Sequence, residues 1–183
     1  MNTFEMPLPA PKGFRAISPQ QLEDNVFKAV GDDWMLISAR KKDGSFNMMT
    51  ASWGGLGVLW GMPVFSCFIR PQRYTLEFAE EAEMLSLSFF GGAQRDALVF
   101  CGSKSGRDFD KAKETGLTPR LDADGLVFYN EASLVIAGRK LYVSDFKKEN
   151  FVVPSVADTC YPENDFHRVF ICRADGIFVR EQA

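Results

Sequence analysis

The segment Asn47 to Thr75, NMMTASWGGLGVLWGMPVFSCFIRPQRYT, gathers more chemistry than a strand-forming run requires. It carries hydroxyls at Thr50 and Ser52, indoles at Trp53 and Trp60, and guanidinium groups at Arg70 and Arg73. In an extended strand Asn47, Met49 and Ala51 share one face while Met48, Thr50 and Ser52 share the other, so the two hydroxyls project together. Either they face solvent on an outer surface, or they form a polar stripe that a ligand can use. Trp53, beside Gly54 and Gly55, offers a flat apolar wall where backbone can come close to a planar group. Arg70 and Arg73 flank Pro71 ahead of a helix starting at Tyr74 and Thr75, whose first free N–H groups attract anions. Two guanidinium groups there would clamp a phosphate. The alternative is a pair of surface arginines neutralised by Glu77, Glu80 or Glu81.

Other chemistries find less support. The chain has a single histidine, His167, and its four cysteines, Cys67, Cys101, Cys160 and Cys172, form no CxxC pair. A His/Cys metal site is therefore not expected. The cysteines sit mostly in apolar stretches and read as buried thiols in a reducing cytoplasm. A net charge of -3 with scattered basic residues gives no electrostatic footprint for nucleic acid. No apolar run is long enough to span a membrane, and the N-terminal MNTFEMPLPAPKGF lacks the apolar stretch of a signal peptide.

The elements that must hold these residues follow from periodicity and punctuation. With 183 residues, 46% of them hydrophobic, the chain reads as one domain over 1–183, with 1–17 as a proline-rich extended lead-in. Ser18 and Pro19 predict a helix to about Val30, ended by Gly31. Strands are expected over 34–40 and 46–53 around a KKDGS hairpin turn, then over 64–69 and 84–90. A helix over 74–82 separates the last two, and Gly54, Gly55, Gly57 and Gly61 punctuate the span before residue 64. Short helices over 94–101 and 108–115 flank the polar loop CGSKSGRD. Strands return over 126–130, 133–146, 167–173 and 176–181, the last pair joined by an Asp-Gly turn. Hairpin-spaced strands with a few short helices predict a mainly β protein, a nearly closed antiparallel barrel.

Three segments in this order, NMMTASWGG, IRPQRYT and SGRDFDK followed by Gly116-Leu117, resemble the flavin reductase-like family, particularly its flavoredoxin branch. The entry NVFKAVGDDWMLISA is similar as well, so the resemblance covers about Asn25 to Thr118. It implies an FMN-binding split β-barrel, antiparallel and Greek-key-like, with short flanking helices and a homodimer holding flavin near the subunit interface. By the same resemblance Asn47, Met48, Met49, Thr50, Ala51, Ser52 and Trp53 would contact the flavin ring edge and ribityl chain. Arg70, Arg73, Tyr74 and Thr75 would serve the ribityl or phosphate end, and Lys111 would add a second positive charge on the phosphate with Ser105 nearby. Without the motif, Lys111 would read as a helix lysine paired with Glu114 or Asp108.

Toward the C-terminus the family often carries Gly-Asp-His, a feature associated with the nicotinamide donor, and then Gly-Glu. This chain has Asp165-Phe166-His167 and then Cys172-Arg173, so His167 matches in place and its neighbours do not. The resemblance implies an oxidoreductase that passes electrons from NAD(P)H or a redox protein through FMN to an acceptor, with His167 as the catalytic residue. A carrier without turnover of its own is the second reading, and a non-flavin barrel that binds another ligand is the third.

Overall fold

The computed structural model describes residues 8–122 and 125–181. Part of the expected lead-in, residues 1–7, lies outside them. The rest contains a strand, β1 (Phe14–Ala16), which pairs with the chain's last strand. The expected helix to Val30 is instead two short pieces, a 3-10 turn over Pro19–Gln21 and a π-helical turn over Lys28–Asp33. The physical reason is a second start: Asn25 Oδ1 accepts from the Lys28 amide at 3.1 Å. Gly31 falls inside the second turn, which ends at Trp34 at a positive φ. The Trp34 indole donates to the Gly31 carbonyl at 3.1 Å, and the Arg95 guanidinium stacks 3.4 Å above its ring.

The hairpin β2 (Met35–Arg40) and β3 (Phe46–Ala51) follows as expected, its turn closed by Lys41 N–H to the Ser45 carbonyl at 2.8 Å. The glycine-punctuated span then departs from expectation, because it is itself a strand, β4 (Gly54–Leu59), paired with β5 (Met62–Ile69). Glycine at 54 lets this strand lie close on the barrel. A Cβ there would meet Met35 Cε at 2.8 Å and the Ser66 carbonyl at 3.0 Å. Trp60 and Gly61, both at positive φ, make the turn between them.

The remaining elements are α1 (Thr75–Glu81), β6 (Met84–Phe89), α2 (Arg95–Ser103), α3 (Lys111–Thr115), β7 (Pro119–Leu121), β8 (Val127–Tyr129), β9 (Leu134–Asp145), α4 (Pro154–Cys160), β10 (Arg168–Arg173) and β11 (Gly176–Arg180). Among the described residues nine strands form one antiparallel sheet with the path β3-β2-β6-β9-β10-β5-β4, while β11 pairs with β9 and β1. β7 and β8 form a separate hairpin. The two ends of the path are consecutive in the chain, joined by Ser52 and Trp53. The sheet thus returns to its own start without a hydrogen-bonded ladder between β3 and β4 among the described residues. That is the split in the barrel. β9 serves both halves, pairing with β6 through Arg139 and with β10 from Lys140 onward. Glycine is required at 138, where a Cβ would fall 1.6 Å from the Arg173 carbonyl.

Strand alternation sorts the core into two. Met35, Ile37, Met49, Phe65, Cys67, Leu85, Leu87 and Phe170 fill the barrel interior. Leu36, Met48, Val135 and Phe178 point the other way and pack under Leu98 and Cys101 of α2, Ala112 of α3 and Phe128 of β8. β2 is buried on both faces, which is why its sequence reads as a continuous apolar run rather than an alternating one. Ser38, inside that run, meets Tyr129 Oη at 3.0 Å, so its hydroxyl is satisfied in the core. No helix among the described residues is long and apolar enough to cross a membrane.

Candidate flavin cleft

The seam between β3 and β4 opens into a cavity of about 240 Å³ lined by Met49, Thr50, Ala51, Ser52, Trp53, Phe68, Arg70, Arg73 and His167. Ser52, Trp53 and Phe68 also line an adjoining hollow of about 830 Å³, walled by Val26, Phe27, Val30, Leu56, Phe146, Phe151, Val156, Cys160 and Tyr161. Among the described residues no carboxylate, ammonium or guanidinium group lines this second space. The two compartments form one cleft with a cationic end and an aromatic end.

The cationic end is built on the C-terminus of α2. Arg73 donates from Nη1 to the Gly102 carbonyl at 2.7 Å and from Nη2 to the Cys101 carbonyl at 3.3 Å. Lys111, 4% exposed, donates from Nζ to the Cys101 carbonyl at 3.0 Å and to the Met48 carbonyl at 2.9 Å. Both cations therefore complement the negative pole of the same helix end. Among the described residues neither lies within ion-pair distance of a carboxylate. Burial, with the Arg73 charge adding to it, pulls the Lys111 ammonium down to about 8, and burial also lowers Arg73. Lys111 opens onto a different hollow, of about 740 Å³, that it shares with Asn47 and Met48. The pair thus stands between two spaces rather than inside one.

Arg70 behaves differently. It is ion-paired with Asp165, donates to the Cys160 carbonyl at the end of α4 at 2.8 Å, and lies 5.1 Å from the Tyr161 ring centre. None of Glu77, Glu80 and Glu81 pairs with Arg70 or Arg73; Glu77 is bound by Arg107 and Glu80 by Arg168. Of the remaining expected residues, Thr50 faces α2 and donates to the Leu98 carbonyl at 2.5 Å. Asn47 Nδ2 donates to Thr75 Oγ1 at 3.1 Å, both side chains being buried. Tyr74 is held between the Phe78 ring at 5.0 Å and the Arg107 guanidinium at 4.4 Å. Ser105 Oγ accepts from the Arg107 amide at 3.2 Å. Tyr74, Thr75 and Ser105 line neither compartment of the cleft.

His167 sits where the two compartments meet, 5.0 Å from the Trp53 ring and with Nδ1 2.9 Å from Tyr161 Oη. Burial, then the Arg70 charge, lowers its imidazole to about 4, so the ring is neutral at pH 7.

Sequence reasoning missed Phe68, Phe146, Phe151, Tyr161 and Asp165. The signal for Phe146, Phe151 and Tyr161 was the density of aromatics over 146–166, where Phe146, Phe151, Tyr161 and Phe166 recur without a strand period. α4 went unread too, although Pro154 at its first position is a helix-start signal. Among the described residues no group of three or more His, Cys, Asp or Glu is placed to hold a metal ion.

Comparison with known proteins agrees with this architecture. The chain is similar to an FMN-binding domain of a flavin reductases-like enzyme from Shewanella baltica (16% identity, TM-score 0.64, covering 91% of this chain and 77% of that one). It is also similar to an FMN-binding protein from Thermus thermophilus solved with bound p-hydroxybenzaldehyde (23% identity, TM-score 0.63, covering 91% and 82%). Flavoredoxin of Desulfovibrio vulgaris is a third (18% identity, TM-score 0.63, covering 90% and 78%). No curated protein matches the sequence. The fold is therefore the split barrel of FMN-binding proteins. The flavin reductase like domain model matches residues 28–183, so the chain belongs to the flavin reductase-like family.

Proposed function

We propose that the protein binds FMN in the cleft at the β3–β4 seam and passes electrons from NAD(P)H or a redox protein to an acceptor. The observation that carries this reading is the sorting of charge along the cleft. Lys111 is a buried cation and Arg73 a half-buried one, neither with a carboxylate among the described residues, and each keeps N–H donors unused: a guanidinium has five and an ammonium three, of which the structure engages two each. A buried unpaired cation is costly, and a phosphate would relieve that cost while accepting the spare donors. The Trp53 and Phe68 rings supply apolar faces for a planar ring system, and the backbone of Met49, Thr50, Ala51 and Ser52 runs between the two ends. The residues present thus fit FMN.

When bound, FMN supplies hydride and electron transfer, and the protein's part is to hold and orient it. Arg73 and Lys111 fix the anionic end. Trp53 and Phe68 exclude water from the ring end, and neutral His167 stands beside both compartments within reach of a second molecule. The exposed apolar run of Val58 and Leu59 at the end of edge strand β4 and Trp60 in the turn after it, with Trp60 6.4 Å from Tyr142 of β9, supports a homodimer formed through this face. Four unbridged cysteines fit a reducing cytoplasm.

The purified protein should be yellow, or take up FMN with a change in its visible spectrum, and static light scattering should give twice the chain mass. A colourless protein with neither spectral nor thermal response to FMN would overturn the reading. Bleaching of the bound flavin by NADH or NADPH in a stopped-flow cell separates a reductase from an electron carrier that a protein must reduce.

A further inference from the structure

Tyr161 follows α4 directly and is 4% exposed. Its phenolic oxygen lies 2.9 Å from His167 Nδ1 and makes no other hydrogen bond among the described residues. A phenol has one proton to donate, and a buried donor left without an acceptor costs about 1–3 kcal/mol. If His167 carried its proton on Nδ1, that N–H would occupy the phenolic oxygen and the phenol proton would have nowhere to go. With the phenol as donor, Nδ1 accepts, and the proton of the neutral ring must sit on Nε2. That nitrogen has no hydrogen-bond partner among the described residues, and it is not one of the sealed, partnerless polar atoms either, so it opens toward the cavity.

Both rings are held in place. Trp53 and Phe68 pack against the imidazole at 5.0 and 6.5 Å. Phe166 and Phe151 pack against Tyr161 at 4.9 and 5.9 Å. The charged groups near the imidazole are Arg70, Arg73 and Asp165, and the two guanidinium groups oppose a second proton on the ring.

We propose that Tyr161 is a positioning residue that locks His167 in its Nε2–H tautomer, so that His167 offers a neutral hydrogen-bond donor to the molecule bound among Thr50, Trp53, Arg70 and Arg73. The recognised chemistry is an uncharged acceptor such as a carboxamide or ring carbonyl. Its consequence for turnover rests on the flavin reading above, whereas the tautomer does not.

His167 is the only histidine in the chain, so ¹⁵N-histidine labelling gives one pair of ring nitrogens. Long-range proton–nitrogen spectra of the unmodified protein at pH 7 should show Nε2 in the protonated, pyrrole-like range and Nδ1 in the pyridine-like range. In Tyr161→Phe the two shifts should move toward each other as the second tautomer becomes populated. FMN affinity should stay within about twofold, and reduction by NAD(P)H should slow about threefold to tenfold, the loss of one hydrogen bond. A proton on Nδ1 in the parent, unchanged shifts in the variant, or an unchanged rate in a variant that binds FMN would each overturn the assignment. Absence of FMN uptake by the parent would instead defeat the flavin reading and leave the tautomer result standing.

Discussion

Two arginines three residues apart, Arg70 and Arg73, meet opposite fates. Arg70 turns toward α4, where Asp165 neutralises it and the Tyr161 ring shields it. Arg73 turns toward α2, where among the described residues it finds only carbonyl dipoles and a second cation, Lys111. Carbonyls satisfy hydrogen-bond geometry without cancelling charge. The α2 end of the cleft therefore retains positive charge that an anion can use, while the α4 end has settled its charge internally and presents aromatic surface. Arginine count alone would have ranked the two ends equally; the partners distinguish them.

The largest test of this contrast is at the α2 end. Arg73→Ala and Lys111→Met should each weaken FMN about tenfold to hundredfold while leaving riboflavin nearly unaffected, because hydrogen bonds to charged groups contribute about 1.5–3 kcal/mol. Fluorescence-quenching titrations with both flavins make the comparison, and parallel losses would place the damage in the ring pocket or the fold. Lys111 is charged below about 8, so FMN affinity should fall as pH rises through that value and riboflavin affinity should not.

Next comes the effect of His167 on stability. Its folded-state value of about 4 lies below the ordinary 6.5, so between these values the unfolded chain binds the proton and the folded chain does not. Stability should be unaffected by this group above pH 6.5 and should fall as pH drops toward 4. The loss should be about 2 kcal/mol, allowing for water that reaches the ring from the cavity. Urea titrations should show that part of the slope vanish in His167→Gln.

At the aromatic end, Trp53→Ala should weaken FMN and riboflavin alike, about threefold to tenfold, because ring contacts do not sense the phosphate. The smallest change is expected from Asp165→Asn, within about threefold for either flavin, since it perturbs a partly exposed pair of little net worth. A tenfold gain in FMN affinity there would mean that Arg70, once released, is the stronger anion site, and the contrast drawn above would be reversed.

The sequence was most legible where local chemistry and tertiary structure agree. The apolar runs and the KKDGS turn place β2 and β3, and the β3 residues that line the cavity follow from their strand. β10 and β11 lie on their apolar runs too, but the expected Asp-Gly turn does not close them into a hairpin, because each pairs with a different stretch of β9 instead. β4 was hidden because Gly54 is there for close packing on Met35, a contact 19 residues away, and glycine in sequence reads as punctuation. Residues 18–30 misled because a cap and a proline specify a helix start but not its length. The partners of Arg70, Arg73 and Lys111 were out of reach for a different reason: each lies on another element, and only the fold decides whether a cation meets a carboxylate or a carbonyl.

β9 adds a consequence in time. The cavity takes Thr50 and Trp53 from the β2–β3 arm and Phe68, Arg70 and His167 from the β5–β10 arm, and these arms join through β9, which passes from β6 to β10 between Arg139 and Lys140. The ends of the arms are neighbours in the chain at Ser52 and Trp53, but the β5–β10 arm itself closes through pairings that span as many as 109 residues, as in Arg173 with Val64. Such distant pairings form slowly. A refolding chain should therefore regain strand signal before it regains affinity for flavin, and the interval between the two would measure how long the second arm takes to find β9.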